Sequence, residues 1–194
     1  LHSTSRRQRQ MCIRDSRKLV SKTDKLNSLA QLNKNVLADG TYVISTALSS
    51  NYVLDVYGGY TWNKANVQLF AKNGTDAQAF KVTHDSQGYV TFTNVNSGKV
   101  LEVAGSRAGN NANVQQYSLD GSRAQKWVVQ KYGSGYTIIS ALDPNFVLDL
   151  SGALVMNGRN IGLYQNNGSK AQQWNFSKHM TDRERCDLLS LIHI

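Results

Sequence analysis

The chain repeats itself three times. Residues 53–80 run through a short apolar strand carrying one carboxylate, a Gly-Gly turn, a second strand ending in an aromatic residue, an Asn-Gly turn and a Gln-x-aromatic triplet. The same order returns at 100–127 and at 147–174. Asp55, Glu102 and Asp149 are 47 residues apart, and so are Phe70, Tyr117 and Tyr164. Gln78, Gln125 and Gln172 keep that interval, as do Phe80, Trp127 and Trp174. An internal repeat of this length confines the chain to architectures in which each unit is incomplete alone and the copies share one core.

Each copy reads as about four short strands rich in β-branched and aromatic residues, separated by turn signals. The opening strands align as residues 42–45, 89–92 and 136–139, led by Tyr42, Tyr89 and Tyr136 at the same interval. Second strands carry the acids, third strands end in the aromatic of Phe70 and its partners, and fourth strands carry Gln-x-aromatic. Gly-Gly, Asn-Gly and Asp-Gly pairs between them suit turns that need positive φ. A 47-residue copy cannot bury its own apolar face. Three copies closing around an axis can, with Leu54, Leu101 and Leu148 meeting in one core. The pattern predicts an all-β, closed, pseudo-threefold structure of about 12 strands without long helices.

These residues resemble the ricin-B-type β-trefoil lectin family, also known as carbohydrate-binding module family 13. The resemblance runs over residues 38–179 and rests on the LDV, NVQLF and Gln-x-aromatic motifs in all three copies. It implies a β-trefoil, a six-stranded barrel with a cap of three hairpins, and one shallow sugar pocket per lobe. It also implies a secreted or cell-surface setting, commonly a bacterial protein in which the module is joined to a hydrolase.

The flanks differ in character. Residues 1–37 hold 9 Lys and Arg against 2 acids, whereas 38–178 hold 11 against 8. Most of the formal charge of +9 is therefore in the N-terminal arm, and the reading of a nucleic-acid-binding domain loses its main support. One short DNA sequence encodes Leu189 to Ile194 when read forward, and Met11 to Asp15 when its complement is read in a shifted frame. It resembles a transposon-end sequencing adapter, so 1–37 are expected to be an adapter-like tail plus linker and 180–194 an adapter-like tail. Both cysteines, Cys12 and Cys186, lie in or beside these ends. Between adapter and repeats, Leu26, Leu29, Leu32 and Val36 allow either a short amphipathic helix or a linker. No run approaches the ~18 apolar residues of a membrane span.

A neutral sugar presents hydroxyls and one apolar C–H face. It calls for an ionised acceptor, amides to complete the hydrogen bonds, and a ring to cover that face. The family resemblance assigns these roles to Asp55, Gln68 and Phe70 in lobe one, and to Glu102, Gln115 and Tyr117 in lobe two. In lobe three they fall to Asp149 and Tyr164, with Gly162 where the amide should be. Gln78, Gln125 and Gln172 are further candidates, either as ligands or as structural partners of the acids and the backbone. Tyr60 and Trp62, whose counterparts are Arg107 and Gly109, then Leu154 and Met156, are expected to form a second sugar-facing wall in lobe one or to pack against a neighbouring loop. The family's galactose-binding lobes usually place Asn before the Gln of Gln-x-Trp; here Ala77, Ala124 and Ala171 stand there.

No catalytic constellation emerges. His84 and His179 share no ligand spacing with a carboxylate cluster, and no phosphate loop, dinucleotide fingerprint or nucleophile elbow is present. The three lobe acids are expected to lie too far apart for a glycosidase pair. The sequence is thus read as a non-enzymatic glycan-binding module without cofactor or metal. Its target would be a polysaccharide or cell-wall sugar, and its partner a linked catalytic domain. The alternative is a structural or protein-docking trefoil with degenerate pockets.

Overall fold

The computed structural model describes residues 21–180 and 182–193. Twelve strands alternate with tight turns among them. Lobe one contributes β1 (Gly40–Thr46), β2 (Ser49–Val56), β3 (Val67–Ala71) and β4 (Ala79–His84). Lobe two contributes β5 (Val90–Asn94), β6 (Val100–Val103), β7 (Ala112–Tyr117) and β8 (Trp127–Tyr132). Lobe three contributes β9 (Gly135–Ser140), β10 (Phe146–Leu150), β11 (Arg159–Gln165) and β12 (Trp174–Lys178).

Antiparallel pairing runs β1–β4–β5–β8–β9–β12 and back to β1, which closes a six-stranded barrel without edges. The hairpins β2–β3, β6–β7 and β10–β11 lean together through β3–β11 and β7–β11 pairings and an Asn66–Gln115 bridge. This is the β-trefoil. Leu54, Leu101 and Leu148 are fully buried in one core with Phe80, Trp127 and Trp174. The two indoles also donate from Nε1 to the carbonyls of Leu101 and Leu148.

Two sets of asparagines at the repeat interval join the lobes. Asn66 Nδ2 donates to Asn160 Oδ1 at 2.9 Å, Asn160 to Asn113 at 3.0 Å and Asn113 to Asn66 at 2.9 Å, a closed ring. Asn63, Asn110 and Asn157 each accept a backbone N–H from the next lobe, from Ser118, Gln165 and Ala71.

The opening strands depart from the expected alignment. Phe80, Trp127 and Trp174 pair with Tyr42, Val90 and Tyr136, so Tyr89 is not the counterpart of the other two tyrosines. Lobe two carries one extra residue in the β4–β5 turn and one fewer before β6, where Thr93 rather than residue 92 faces Val100. Side chains alternate along a strand, so this one-residue slip turns Tyr89 away from the barrel interior. There it meets the helix α1 (Lys22–Asn33), which resolves the choice between helix and linker. A reciprocal capping box between Ser21 and Asp24 starts α1. Leu26 and Ala30 of α1 pack on Tyr89, Val128, Ile139, Ala141 and Val147.

A second helix, α2 (Asp182–Ile192), includes part of the C-terminal adapter-like hexapeptide; Met11 to Ser16 and Cys12 lie outside the described residues. No described helix is long and apolar enough to cross a membrane.

Candidate functional site

In lobe one, β2 and β3 set Asp55 directly opposite Gln68. Gln68 Nε2 donates to Asp55 Oδ1 at 2.9 Å, and Gln78 Nε2 donates to Oδ2 at 3.1 Å. Asp55 is 6% exposed, at the foot of an open cleft of about 510 Å³. Phe70 and Tyr60 line the cleft, together with Tyr57, Asn73, Asp76 and Asn96. Burial holds the Asp55 carboxyl above its ordinary pKa, and the two glutamine hydrogen bonds offset part of that rise. Each carboxylate oxygen has a second lone pair, so the group can accept hydrogen bonds from hydroxyls while both amides stay in place.

Of the two roles open to the Gln-x-aromatic glutamines, the hydrogen bonds are those of structural partners. Gln78 Nε2 also donates to the Ala71 carbonyl at 2.9 Å, and its Oε1 accepts from Asn73 N–H at 2.8 Å. Gln125 does the same with Ser118 and Asp120, and Gln172 with Gln165 and Asn167. Both amide hydrogens and one lone pair of the oxygen thus hold the acid and the turn, and the three side chains are buried.

Lobe two repeats the arrangement with Glu102, which accepts from Gln115 at 3.0 Å and Gln125 at 2.8 Å. Tyr117 closes β7 and is half-buried. Arg123, the counterpart of cleft-lining Asp76, turns instead toward α1, donating to Thr23 Oγ1 and to the Tyr89 hydroxyl.

In lobe three Asp149 keeps only Gln172, at 3.0 Å, among the described residues. Burial again raises its pKa, with Gln172 opposing. Gly162 is dictated by packing: a Cβ there would lie 2.9 Å from the Ala112 carbonyl oxygen, where β11 presses on β7. A glutamine amide therefore cannot be supplied from that position. Asp149 and Tyr164 line a smaller cleft of about 310 Å³.

Tyr60 and Trp62 stand apart from a simple second wall. Tyr60 lines the cleft, whereas Trp62 lies outside the lining and stacks on Tyr60, with ring centroids 3.9 Å apart and planes 24° apart. Tyr57 meets Tyr60 edge-on at 5.6 Å. Gly58, at φ +63°, lets the Tyr60 ring lie against the backbone; a Cβ there would come within 2.9 Å of it. Tyr57, Asn73, Asp76 and Asn96 were not singled out from the sequence. Tyr57 could have been, since it directly follows the acid strand. Asn96 could not, because it reaches the lobe-one cleft from lobe two. Among the described residues no group of three His, Cys, Asp or Glu could hold a metal ion.

The model of the ricin-type beta-trefoil lectin domain-like family matches residues 31–117 and 76–164. This chain belongs to that family. Its ricin-type fold is shared with a designed threefold-symmetric protein, ThreeFoil, at 30% identity and TM-score 0.69, covering 72% of this chain and 99% of that one. The Rhizoctonia solani agglutinin is similar at 26% identity and TM-score 0.68, covering 73% and 96%. An exo-β-1,3-galactanase from Clostridium thermocellum matches at 26% identity and TM-score 0.68, over 72% of this chain but 30% of the enzyme. No curated protein matches. Carbohydrate binding is the activity that membership of this lectin family supports.

Proposed function

We propose that this lectin domain holds a polysaccharide or cell-surface glycan through lobe one, without catalysis of its own. The observation that carries the reading is the cleft itself. The amide-braced Asp55 sits at its foot, beside Gln68 and the Phe70 ring, and the mouth is open. Asp55 accepts hydrogen bonds from sugar hydroxyls, and Phe70 covers the C–H face. Lobe three supports a weaker second contact through Asp149 and Tyr164, and lobe two is the least suited because Arg123 is drawn to α1.

A single open site of this kind is expected to bind a monosaccharide at about millimolar strength, about −4 kcal/mol. Two lobes on one polymer raise avidity by roughly 10²–10⁴. The function is then anchoring, either of a covalently linked catalytic domain, as the partial match to the galactanase suggests, or of a cell surface, in a secreted bacterial protein. The alanines at 77, 124 and 171 favour a rival reading, a trefoil whose pockets are relics and whose surface docks another protein.

Pull-down of the full chain on insoluble polysaccharides and bacterial cell walls separates the two. Retention that Asp55→Asn and Phe70→Ala each reduce at least tenfold supports the lectin reading. Retention by no glycan, from a protein with intact thermal unfolding, transfers the case to the docking reading.

A further inference from the structure

The aromatic strip beside the lobe-one cleft is exposed yet held with unusual firmness. Trp62 is 56% exposed, and Tyr57 and Tyr60 are also open to solvent. Exposed apolar rings in one continuous group mark contact surfaces. Their loop is pinned to lobe two at each end and in the middle. Asn96 Nδ2 donates to the Gly59 carbonyl at 2.8 Å, and Asn63 Oδ1 accepts from Ser118 N–H and Oγ. Between them Gln116 Nε2 donates to the carbonyls of Tyr60, at 2.7 Å, and Trp62, at 3.0 Å.

Gln116 is the telling residue. It is 1% exposed, and its counterparts in the other lobes are Leu69 and Leu163, both in the core. An amide buried in place of an aliphatic side chain destabilises the fold unless every hydrogen bond is made. Here both amide hydrogens hold the backbone of the two aromatic residues, and Oε1 accepts from Ser97 Oγ at 2.6 Å. Lobe two thus has a buried amide where the other lobes have a core leucine, and that amide fixes the shape of lobe one's aromatic loop. A rigid ring surface binds without an ordering cost. Lobe three has the aliphatic Leu154 and Met156 in place of these rings, beside the smaller cleft.

We propose that lobe one binds a linked oligosaccharide, one sugar at Asp55 and Phe70 and the next lying across the Tyr57, Tyr60 and Trp62 strip. Gln116 is the positioning residue of this second subsite. The strip's chemistry suits the C–H face of a neutral pyranose, and its continuity with the cleft sets the order of the two sugars. The inference rests on the lectin reading, and adds to it that chain length rather than a terminal monosaccharide determines affinity.

The test takes the polysaccharide that retains the protein in the pull-down, hydrolysed and size-fractionated into mono- to tetrasaccharides. Titration of the full chain should show affinity rising about tenfold or more from mono- to trisaccharide. Trp62→Ala should lower trisaccharide affinity far more than monosaccharide affinity, and Gln116→Leu should flatten the rise in the same way. Trp127 and Trp174 are buried, so a blue shift of tryptophan emission with trisaccharide, absent in Trp62→Phe, reports the strip directly. Equal affinity for mono- and trisaccharide overturns the inference and leaves the lectin reading standing, as does a rise that Trp62→Ala does not change. Retention by no polysaccharide overturns the lectin reading, and this inference with it.

Discussion

Asp55 sits where two opposing demands meet. The proposed role as sugar acceptor calls for a charged group, yet it is buried, and burial raises its pKa against the help of Gln68 and Gln78. Binding should therefore be lost on acidification at a pH above that of an ordinary carboxylate, about 3.9. The sign for stability is opposite. A raised folded-state pKa means the ionised group disfavours folding, a cost relieved as pH falls through that pKa. Titrating glycan affinity and melting temperature on one sample should show affinity falling while this group's contribution to stability rises. Asp55→Asn makes the neutral state permanent. Gln78 is locked by Ala71 and Asn73, but turning over the Gln68 amide would pair it with the new NH₂. The variant should lose glycan retention at least tenfold while its melting temperature stays within about 4 °C, the equivalent of about 1 kcal/mol. The acid and Phe70 were legible as a repeated pair of residue types. Gln116 was visible only as a departure from leucine, without a hint of what it holds.

At the level of elements, the slip in lobe two and the helix α1 are one feature. An exact 47-residue interval aligns Tyr89 with Tyr42 and Tyr136, but the turns before and after β5 shift it out of the barrel wall. Its ring is then covered by α1, and its hydroxyl donates to Asn27 Oδ1 at 2.7 Å and accepts from Arg123. Lys22 pairs with Asp143 at 2.5 Å beside the same contact. Leu26, fully buried, anchors the helix. Leu26→Ala should cost about 2–4 kcal/mol, within the range for buried leucine truncations. Hydrogen exchange should show α1 amides losing protection before the barrel strands do. Equal loss across α1 and the barrel would mean that helix and trefoil unfold as one unit. A repeat count cannot detect two compensating shifts, since the interval on either side is preserved.

The whole molecule is closed by contacts between lobes. The ring of Asn66, Asn113 and Asn160 uses one amide hydrogen and one oxygen lone pair from each lobe. Asn113→Ala breaks two of its three bonds and leaves two half-buried partners unsatisfied, which should cost about 1–3 kcal/mol. Replacing all three with leucine removes every partner together. Urea unfolding should then show a loss smaller than the sum of the single substitutions, the non-additivity expected of residues in one network. Additive losses would show that each asparagine acts alone.

From sequence alone came the three lobes, their all-β character, the core leucines and Gln-x-aromatic anchors, and the recurring acid with the aromatic residue that ends the third strand. Each of these is a local pattern that recurs, and recurrence at a fixed interval follows from three units meeting around one axis. Tertiary structure decided which lobe forms the wider cleft, that Asn96 lines it from the next lobe, that Gly162 is imposed by the Ala112 carbonyl, and that Gln116 braces the aromatic strip. All four depend on one lobe pressing against the next. The asparagine contacts between lobes recur at the repeat interval, but these do not, because what differs between copies is what a repeat alignment sets aside.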